Sequence, residues 1–292
     1  MKIIITGSSG FVGSNFIKIN SNHHCIGVDL INVKVNDIAF SNIDSVLHLA
    51  ALVHQMKGAP EEHYYKVNRD LAFDVAKRAK EQGVKHFILM STVKVYGEST
   101  AKQGYWNEES ECIPTDPYGK SKFEAEKLIR NLEDDSFKVA IVRSPLVYGA
   151  GVTANMFNLI KLIDKIPFLP FGNINNSRSI VYIGNLVALL QHIIVKQASG
   201  VFIASDKTPI STSELVKTIA HGLGKQTRLF KMPNWALKII GFIKPGLVDR
   251  LYGSLVLNNL YTTESLQFTP PFTTEVGILE MVNWYKSLKD RE

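Results

Sequence analysis

The chain of 292 residues is 45% hydrophobic and 21% charged, the balance of an ordinary globular protein with room for a large core. Its formal net charge of +6 is spread out, with no dense Lys/Arg block interleaved with aromatics, so nucleic acid is excluded as a natural partner while an anionic small substrate is compatible. Cys25 and Cys112 lack metal-ligand spacing and fit a reducing cytoplasm, and no apolar run nears the ~20 residues that span a bilayer.

Lys2-Ile3-Ile4-Ile5-Thr6 reads as a short buried strand, too soon interrupted for a signal-peptide core. It feeds Gly7-Ser8-Ser9-Gly10-Phe11-Val12-Gly13 and then an apolar helix through Phe16 and Ile17. Glycines in that position let the chain turn tightly and let backbone N–H groups approach a pyrophosphate, which predicts a dinucleotide site over Gly7, Ser9, Gly10, Phe11 and Val12.

The next strand, Cys25-Ile26-Gly27-Val28, ends at Asp29. A carboxylate there holds a ribose 2′-hydroxyl and repels a 2′-phosphate, which favours NAD over NADP; the competing reading is a turn-forming Asp. The stretch up to the strand Ser45-Val46-Leu47-His48-Leu49-Ala50-Ala51 is short, with space for a third strand at 33–35 but not for a full crossover helix. Asp37-Ile38 is placed either in an adenine pocket or in a bare turn.

A long amphipathic helix is predicted over 62–82, leading through Gly83 to a strand at 86–90 and then Ser91-Thr92-Val93-Lys94-Val95-Tyr96-Gly97. Asp116-Pro117-Tyr118-Gly119-Lys120-Ser121-Lys122 follows. Tyr118 and Lys122 stand four apart, so a helix stacks them on one face, with Pro117 in its first turn and Ala125, Leu128 and Ile129 as its apolar side. A tyrosine is a poor base at its free pKa of about 10; beside an ammonium its phenolate becomes cheaper, and an oxidised nicotinamide lowers it further. About one Tyr-x-x-x-Lys pair is expected by chance from composition, and Tyr285 with Lys289 supplies an internal control that lacks the strand and Gly-rich loop around Tyr118.

The next strand, at 139–142, runs into Arg143-Ser144-Pro145-Leu146-Val147-Tyr148-Gly149. Strand and helix have alternated to this point, which predicts an α/β fold: a Rossmann-type doubly wound parallel sheet with ligands at the carboxyl ends of its strands. Beyond Gly149 the rhythm changes: helix at 155–163, loop at 167–176, strand-like 178–182, helix at 186–195, strand at 201–204, and Ser211 or Ser213 capping a further helix. We expect a dinucleotide-binding domain over 1–148, to which the chain returns around 179–204. A smaller mixed α/β substrate lobe is expected from 149–178 and 205–292.

Taken together, Thr6-Gly7-x-x-Gly10-x-x-Gly13, His48-Leu49-Ala50-Ala51, Ser91-Thr92-x-x-Val95-Tyr96-Gly97, Tyr118-x-x-x-Lys122 and Arg143-x-Pro145-x-Val147-Tyr148-Gly149 resemble the extended short-chain dehydrogenase/reductases, in their nucleotide-sugar epimerase/dehydratase branch. The likeness covers nearly the whole chain. Gly151-Val152-Thr153-Ala154-Asn155 and the stretch from Arg178 to Leu186 are similar to a subgroup of 4-epimerases and 4-ketoreductases from bacterial surface-polysaccharide pathways.

The resemblance implies a catalytic Thr92, Tyr118 and Lys122, with Ser91 as neighbour and possible stand-in for Thr92. It places Leu49, Ala50, Ala51, Asn68, Ser91 and Pro145 along NAD, and Asn155 and Arg178 on the substrate diphosphate, where a guanidinium suits phosphate oxygens. A UDP-sugar substrate, a cytoplasmic location and a homodimer formed through the Tyr118 helices are implied with it. The 4,6-dehydratases of the branch carry Asp-Glu after the catalytic Thr; this chain has Val93-Lys94. Elimination therefore lacks its acid and base, and 4-epimerisation with bound NAD is the expected reaction. The alternatives are a 4-ketoreductase of a UDP-4-keto-6-deoxy sugar, a polyprenyl-diphosphate-linked sugar as substrate, and a silent NAD-binding regulatory protein.

Overall fold

A computed structural model describes residues 1–53, 59–243 and 245–290. Its centre is a six-stranded parallel sheet made of β1 (Lys2–Thr6), β2 (His24–Val28), β3 (Ser45–His48), β4 (His86–Thr92), β5 (Lys138–Ser144) and, out of order, Gly200–Ile203. The spatial order is β2-β1-β3-β4-β5 followed by Gly200–Ile203, which pairs with β5 from Ala140 to Arg143.

Both faces of the sheet are covered, and the two-residue period of the strands decides which side chain goes where. Ile3, Ile5, Leu47, Ile88, Ala140 and Val142 point to one core, with Phe16 of α1 (Phe11–Ile19). Ile4, Val46, Phe87, Leu89, Val139 and Ile141 point to the other, against Val75, Ala76 and Ala79 of a helix at Ala72–Glu81 and against Ala125 and Ile129.

The helix expected over 62–82 is broken in character. A short α2 (Glu61–Tyr64) passes into a π-helical segment, Tyr65–Leu71, before α3 (Ala72–Glu81) resumes the ordinary winding. π-turns carry no distinctive sequence signal, and they gather at functional sites. The expected third strand at 33–35 does not form. Asp29 accepts from the N–H groups of Asn32 and Val33 and turns the chain, and Val35–Asp37 is a single 3₁₀ turn. Ile38, Phe40 and Ile43 then plug the α3 side of the core, so among the described residues β2 remains the edge of the sheet.

α4 (Pro117–Arg130) begins where the sequence places it, with Asp116 as N-cap accepting from Gly119 N at 2.6 Å. Its buried stripe is Lys122, Ala125, Glu126 and Ile129; Leu128 is 38% exposed, a quarter-turn off the stripe. After β5 come β6 (Leu146–Tyr148), α5 (Ala154–Lys165), β7 (Phe168–Leu169), β8 (Ile180–Tyr182) and α6 (Ile183–Lys196), with β9 the sheet strand Gly200–Ile203. β6 pairs with β8 beside the main sheet, and α6 covers the α1 face. The remainder is α7 (Thr212–Gly222), β10 (Arg228–Leu229), α8 (Asn234–Ile243), α9 (Pro245–Tyr252), α10 (Leu260–Leu266) and α11 (Thr274–Lys289). Ser211, not Ser213, caps α7 in a capping box with Glu214; Ser213 turns inward and donates to the Phe171 carbonyl at 2.5 Å.

Candidate active site

Because the strands are parallel, their carboxyl ends share one rim, where the predicted site residues assemble. At the end of β1, Gly7 has φ +70, and a Cβ there would sit 2.8 Å from Ala50 N and 2.9 Å from the Leu49 carbonyl carbon. The Gly-rich loop and the β3 exit thus touch backbone to backbone. Thr6 ties them further, accepting from Ala50 N at 3.3 Å and bonding His48 Nδ1 at 3.0 Å. Burial holds His48 neutral, its pKa down at about 3.

Gly10 is the N-cap of α1, with Ser9 in the loop before it and Phe11 and Val12 opening the first turn, which has no side-chain cap and no acidic residue. An uncapped helix end beside a backbone-tight glycine loop fits the pyrophosphate of a dinucleotide. Asp29 is exposed one residue past β2; its carboxylate accepts from Ile31 N at 3.0 Å and Asn32 Nδ2 at 2.7 Å, so it makes the turn and keeps an anionic face to solvent. Asp37 is exposed, while Ile38 is only 6% exposed and packs in the core beside Phe40 and Ile43.

Asn68, buried in the π-helical segment, clamps the β3 exit from both sides: Oδ1 accepts from Leu52 N at 2.8 Å and Nδ2 donates to Leu52 O at 3.0 Å. Nδ2 also reaches Ser121 Oγ at 3.1 Å, and Ser121 donates to the Tyr118 carbonyl. Its amide orders the rim and α4 together. Pro145 is half-buried just past β5, whose Ser144 pairs in register with Thr92.

Thr92 ends β4 and hydrogen-bonds the Tyr118 hydroxyl. Ser91, one residue earlier on a strand, donates instead to Glu126. The two hydroxyls therefore part company, and only Thr92 meets the tyrosine. Tyr64 packs edge-on against Tyr118, ring centroids 6.4 Å apart.

Removal from solvent pushes the Tyr118 pKa up to about 12, over the opposing effect of the Thr92 hydrogen bond; Asp116 and Tyr64 add to the rise. Lys122, 2% exposed, is driven down to about 8 by burial, with Glu126 working against the drop. The sequence reading had the ammonium cheapening the phenolate; in the protein alone Lys122 is not among the groups that move Tyr118, and desolvation drives both groups toward neutrality.

Behind this pair lies a buried network that sequence reasoning missed. Arg143 Nη2 meets Glu126 Oε2 at 2.6 Å, Arg143 Nη1 donates to Tyr96 Oη at 2.8 Å, and both charged side chains are nearly solvent-free. Tyr118, Lys122 and Glu126 form one i, i+4, i+8 stripe, so a continued stripe of polar residues on the buried face of α4 was the available signal. A second unread device fixes the start of α4. Lys94 Nζ contacts Asp116 and, at 2.9 Å, Glu98, and a Cβ on Gly119 would lie 2.7 Å from the Lys94 carbonyl. Lys94, standing where dehydratases carry a carboxylate, pins the helix.

Asn155 is exposed in the first turn of α5, following Ala154 at φ +55. Arg178 is half-buried and donates from Nη1 to the carbonyls of Gly253 at 2.9 Å and Asp249 at 3.4 Å, so part of its guanidinium secures the end of α9. The control pair stands apart: Tyr285 and Lys289 both bond Asp164, at 3.1 and 2.7 Å.

The profile of the NAD dependent epimerase/dehydratase family matches residues 3–203, from β1 to the end of β9. The chain belongs to that family. It is an NAD-dependent enzyme with the Rossmann-type fold expected from its strand and helix alternation. Among its relatives, a UDP-glucose 4-epimerase of Vibrio cholerae is 37% identical over 317 aligned positions, covering 99% of this chain and 97% of that protein. An N-acetyl-α-D-glucosaminyl-diphospho-ditrans,octacis-undecaprenol 4-epimerase of Escherichia coli O157:H7 is 28% identical over 79% of this chain and 75% of its own length. A UDP-glucuronic acid 4-epimerase from Bacillus cereus in complex with NAD superposes with TM-score 0.78 at 22% identity, covering 99% of each chain. That last likeness is one of fold. Among the described residues, no helix is long and apolar enough to cross a membrane.

Proposed function

We propose that this family member is a 4-epimerase of a UDP-hexose or UDP-N-acetylhexosamine. The observation that carries the reading is the Thr92–Tyr118 hydrogen bond set beside buried Lys122 at the carboxyl ends of the strands. Thr92 holds the sugar O4, and Tyr118 takes the O4 proton as the C4–O bond becomes a carbonyl. NAD, when bound, would supply the acceptor and donor of the C4 hydride. Tyr118 then returns the proton to O4. Lys122 restrains the tyrosine electrostatically and reaches the nicotinamide ribose, and Asn68 fixes the wall of that chamber. Gly7, Ser9, Gly10, Phe11 and Val12 hold the pyrophosphate; Leu49, Ala50, Ala51 and Pro145 line the cofactor, and Asp29 holds the adenosine ribose.

In the same proposal Asn155 and Arg178 bind the substrate diphosphate, from a lobe made of 149–178 and 205–292, and two copies pair through the α4 face that exposes Leu128. The anchoring of Lys94 to Asp116 and Glu98 supports epimerisation over dehydration, since no carboxylate follows Thr92. A polyprenyl-diphosphate-linked sugar is a second reading, supported by the E. coli relative.

The test is to incubate the purified protein with UDP-glucose and UDP-N-acetylglucosamine without added cofactor and to separate the products by chromatography. C4 epimers are expected. No epimer from either, with stoichiometric NAD(P)H consumption on a UDP-4-keto-6-deoxy sugar, identifies a reductase instead.

A further inference from the structure

The apolar surface least explained by folding lies on α8. Trp235 is 68% exposed, Ile239 54% and Phe242 93%. At i, i+4 and i+7 they share one helix face, an exposed apolar stripe. Phe230, 48% exposed, sits just before α8 on the segment that pairs with β7, where Phe168 is 58% exposed. A patch of this kind, built from a tryptophan and phenylalanines, marks an interaction site.

The charge around it selects the partner. Between Lys225 and Val248 the sequence carries Lys225, Arg228, Lys231, Lys238 and Lys244 and no carboxylate. Lys231 and Lys238 are both exposed, and Lys238 flanks the Trp235–Ile239–Phe242 face. A short helix with an aromatic-aliphatic face, lysines at its border and no acidic residue suits the boundary of an anionic bilayer. There the apolar face enters the acyl region and the lysines meet the phosphates.

The helix is also wired to the substrate side. A Cβ on Gly241 of α8 would lie 3.8 Å from Val248 of α9, and the end of α9 with the residue after it accepts from Asn176 at Leu251 O and Gly253 O and from Arg178 at Gly253 O. What seats α8 therefore also bears on the segment that holds Arg178.

We infer that α8 is a peripheral docking surface for anionic phospholipid membranes, laid in the interface with Trp235, Ile239 and Phe242 inward. The surface stands whether the sugar is nucleotide-linked or lipid-linked, because its readout is vesicle binding and not turnover. The experiment is flotation of the full chain with vesicles of phosphatidylcholine containing 30 mol% phosphatidylglycerol, against pure phosphatidylcholine. Circular dichroism melting checks the fold of the variants Trp235→Ser/Phe242→Ser and Lys231→Glu/Lys238→Glu.

Expected is at least about tenfold more protein floating with the anionic vesicles, a similar loss in either double variant at unchanged melting temperature, and weakening by 0.5 M salt. Three results overturn it: no preference for anionic vesicles, variants that float like the wild type, or no flotation together with a dimer that Trp235→Ser/Phe242→Ser splits. The last assigns the face to a second copy of the chain.

Discussion

The molecule contains the same four-residue spacing twice, and the two copies have opposite surroundings. Tyr285 and Lys289 lie on α11 and converge on one carboxylate, Asp164, which Lys225 also approaches at 3.3 Å. That carboxylate accepts from the Tyr285 hydroxyl and from Lys289, which is exposed and whose pKa Asp164 raises. Tyr118 and Lys122 lie at the strand ends and do not converge on one carboxylate: Asp116 acts on the tyrosine and Glu126 on the lysine. The tyrosine hydroxyl meets Thr92, and the lysine is buried and pushed down to about 8. Spacing creates a pair; the third group decides whether it anchors a helix or moves a proton.

The sharpest way to break the comparison is at the hydroxyls. Tyr118→Phe is expected to lower kcat by ~10² to 10⁴, the scale of a lost general acid/base, while NAD affinity measured by calorimetry stays near wild type. A loss shared equally with Tyr285→Phe would erase the distinction between the pairs.

Next in size is the cost of burying Lys122. Its folded pKa is lowered from 10.5 to about 8, so between those values the unfolded chain binds more protons than the folded one. Stability of the nucleotide-free protein should therefore rise as pH climbs from about 8 toward 10.5, by on the order of 3 kcal/mol relative to Lys122→Met. Denaturant titrations at pH 7.5 and 10 measure it; a pH dependence unchanged by the substitution would mean that Lys122 is not desolvated.

A smaller effect belongs to Lys94. Lys94→Met leaves Asp116 as the cap of α4 but removes its neutralising partner, so the carboxylate should raise Tyr118 further. The ascending limb of the kcat profile, along which Tyr118 gives up its proton, should move up by as much as about one pH unit, with KM nearly constant. Movement of KM alone would point to lost shape instead of altered electrostatics.

How much of this was legible in the sequence follows from range. Tyr118, Lys122, Thr92 and the Gly-rich loop were readable because local spacing and strand-end position define them. The π-helical segment was not, since the same apolar period describes an α-helix, and only Asn68's bonds to Leu52 and Ser121 give the extra residue a role. Ser91 and Thr92 looked interchangeable until strand alternation sent one to Glu126 and the other to Tyr118. The missing third strand was misjudged because Ile38 and Phe40 find burial under α3, a long-range outcome that 33–35 does not announce. Glu126 and Arg143 are 17 residues apart, and their pairing is tertiary. Breaking such a buried pair costs about 3–5 kcal/mol, so it belongs to the frame of the site.

The smallest expected effect completes the comparison. Tyr285→Phe should keep kcat within about twofold and cost roughly 1–2 kcal/mol of stability through the lost bond to Asp164, read by denaturant titration.

The central claim, a hydride that leaves and returns to one carbon under the control of Tyr118, is tested most directly with UDP-glucose deuterated at C4. The purified enzyme in ordinary water, without added cofactor, should yield the C4 epimer with the deuterium still on C4, as mass spectrometry and NMR of the product report. Tyr285→Phe should give the same labelled product and Tyr118→Phe almost none. Epimer whose C4 deuterium has been replaced by solvent hydrogen, or formed equally fast by Tyr118→Phe, would contradict the account.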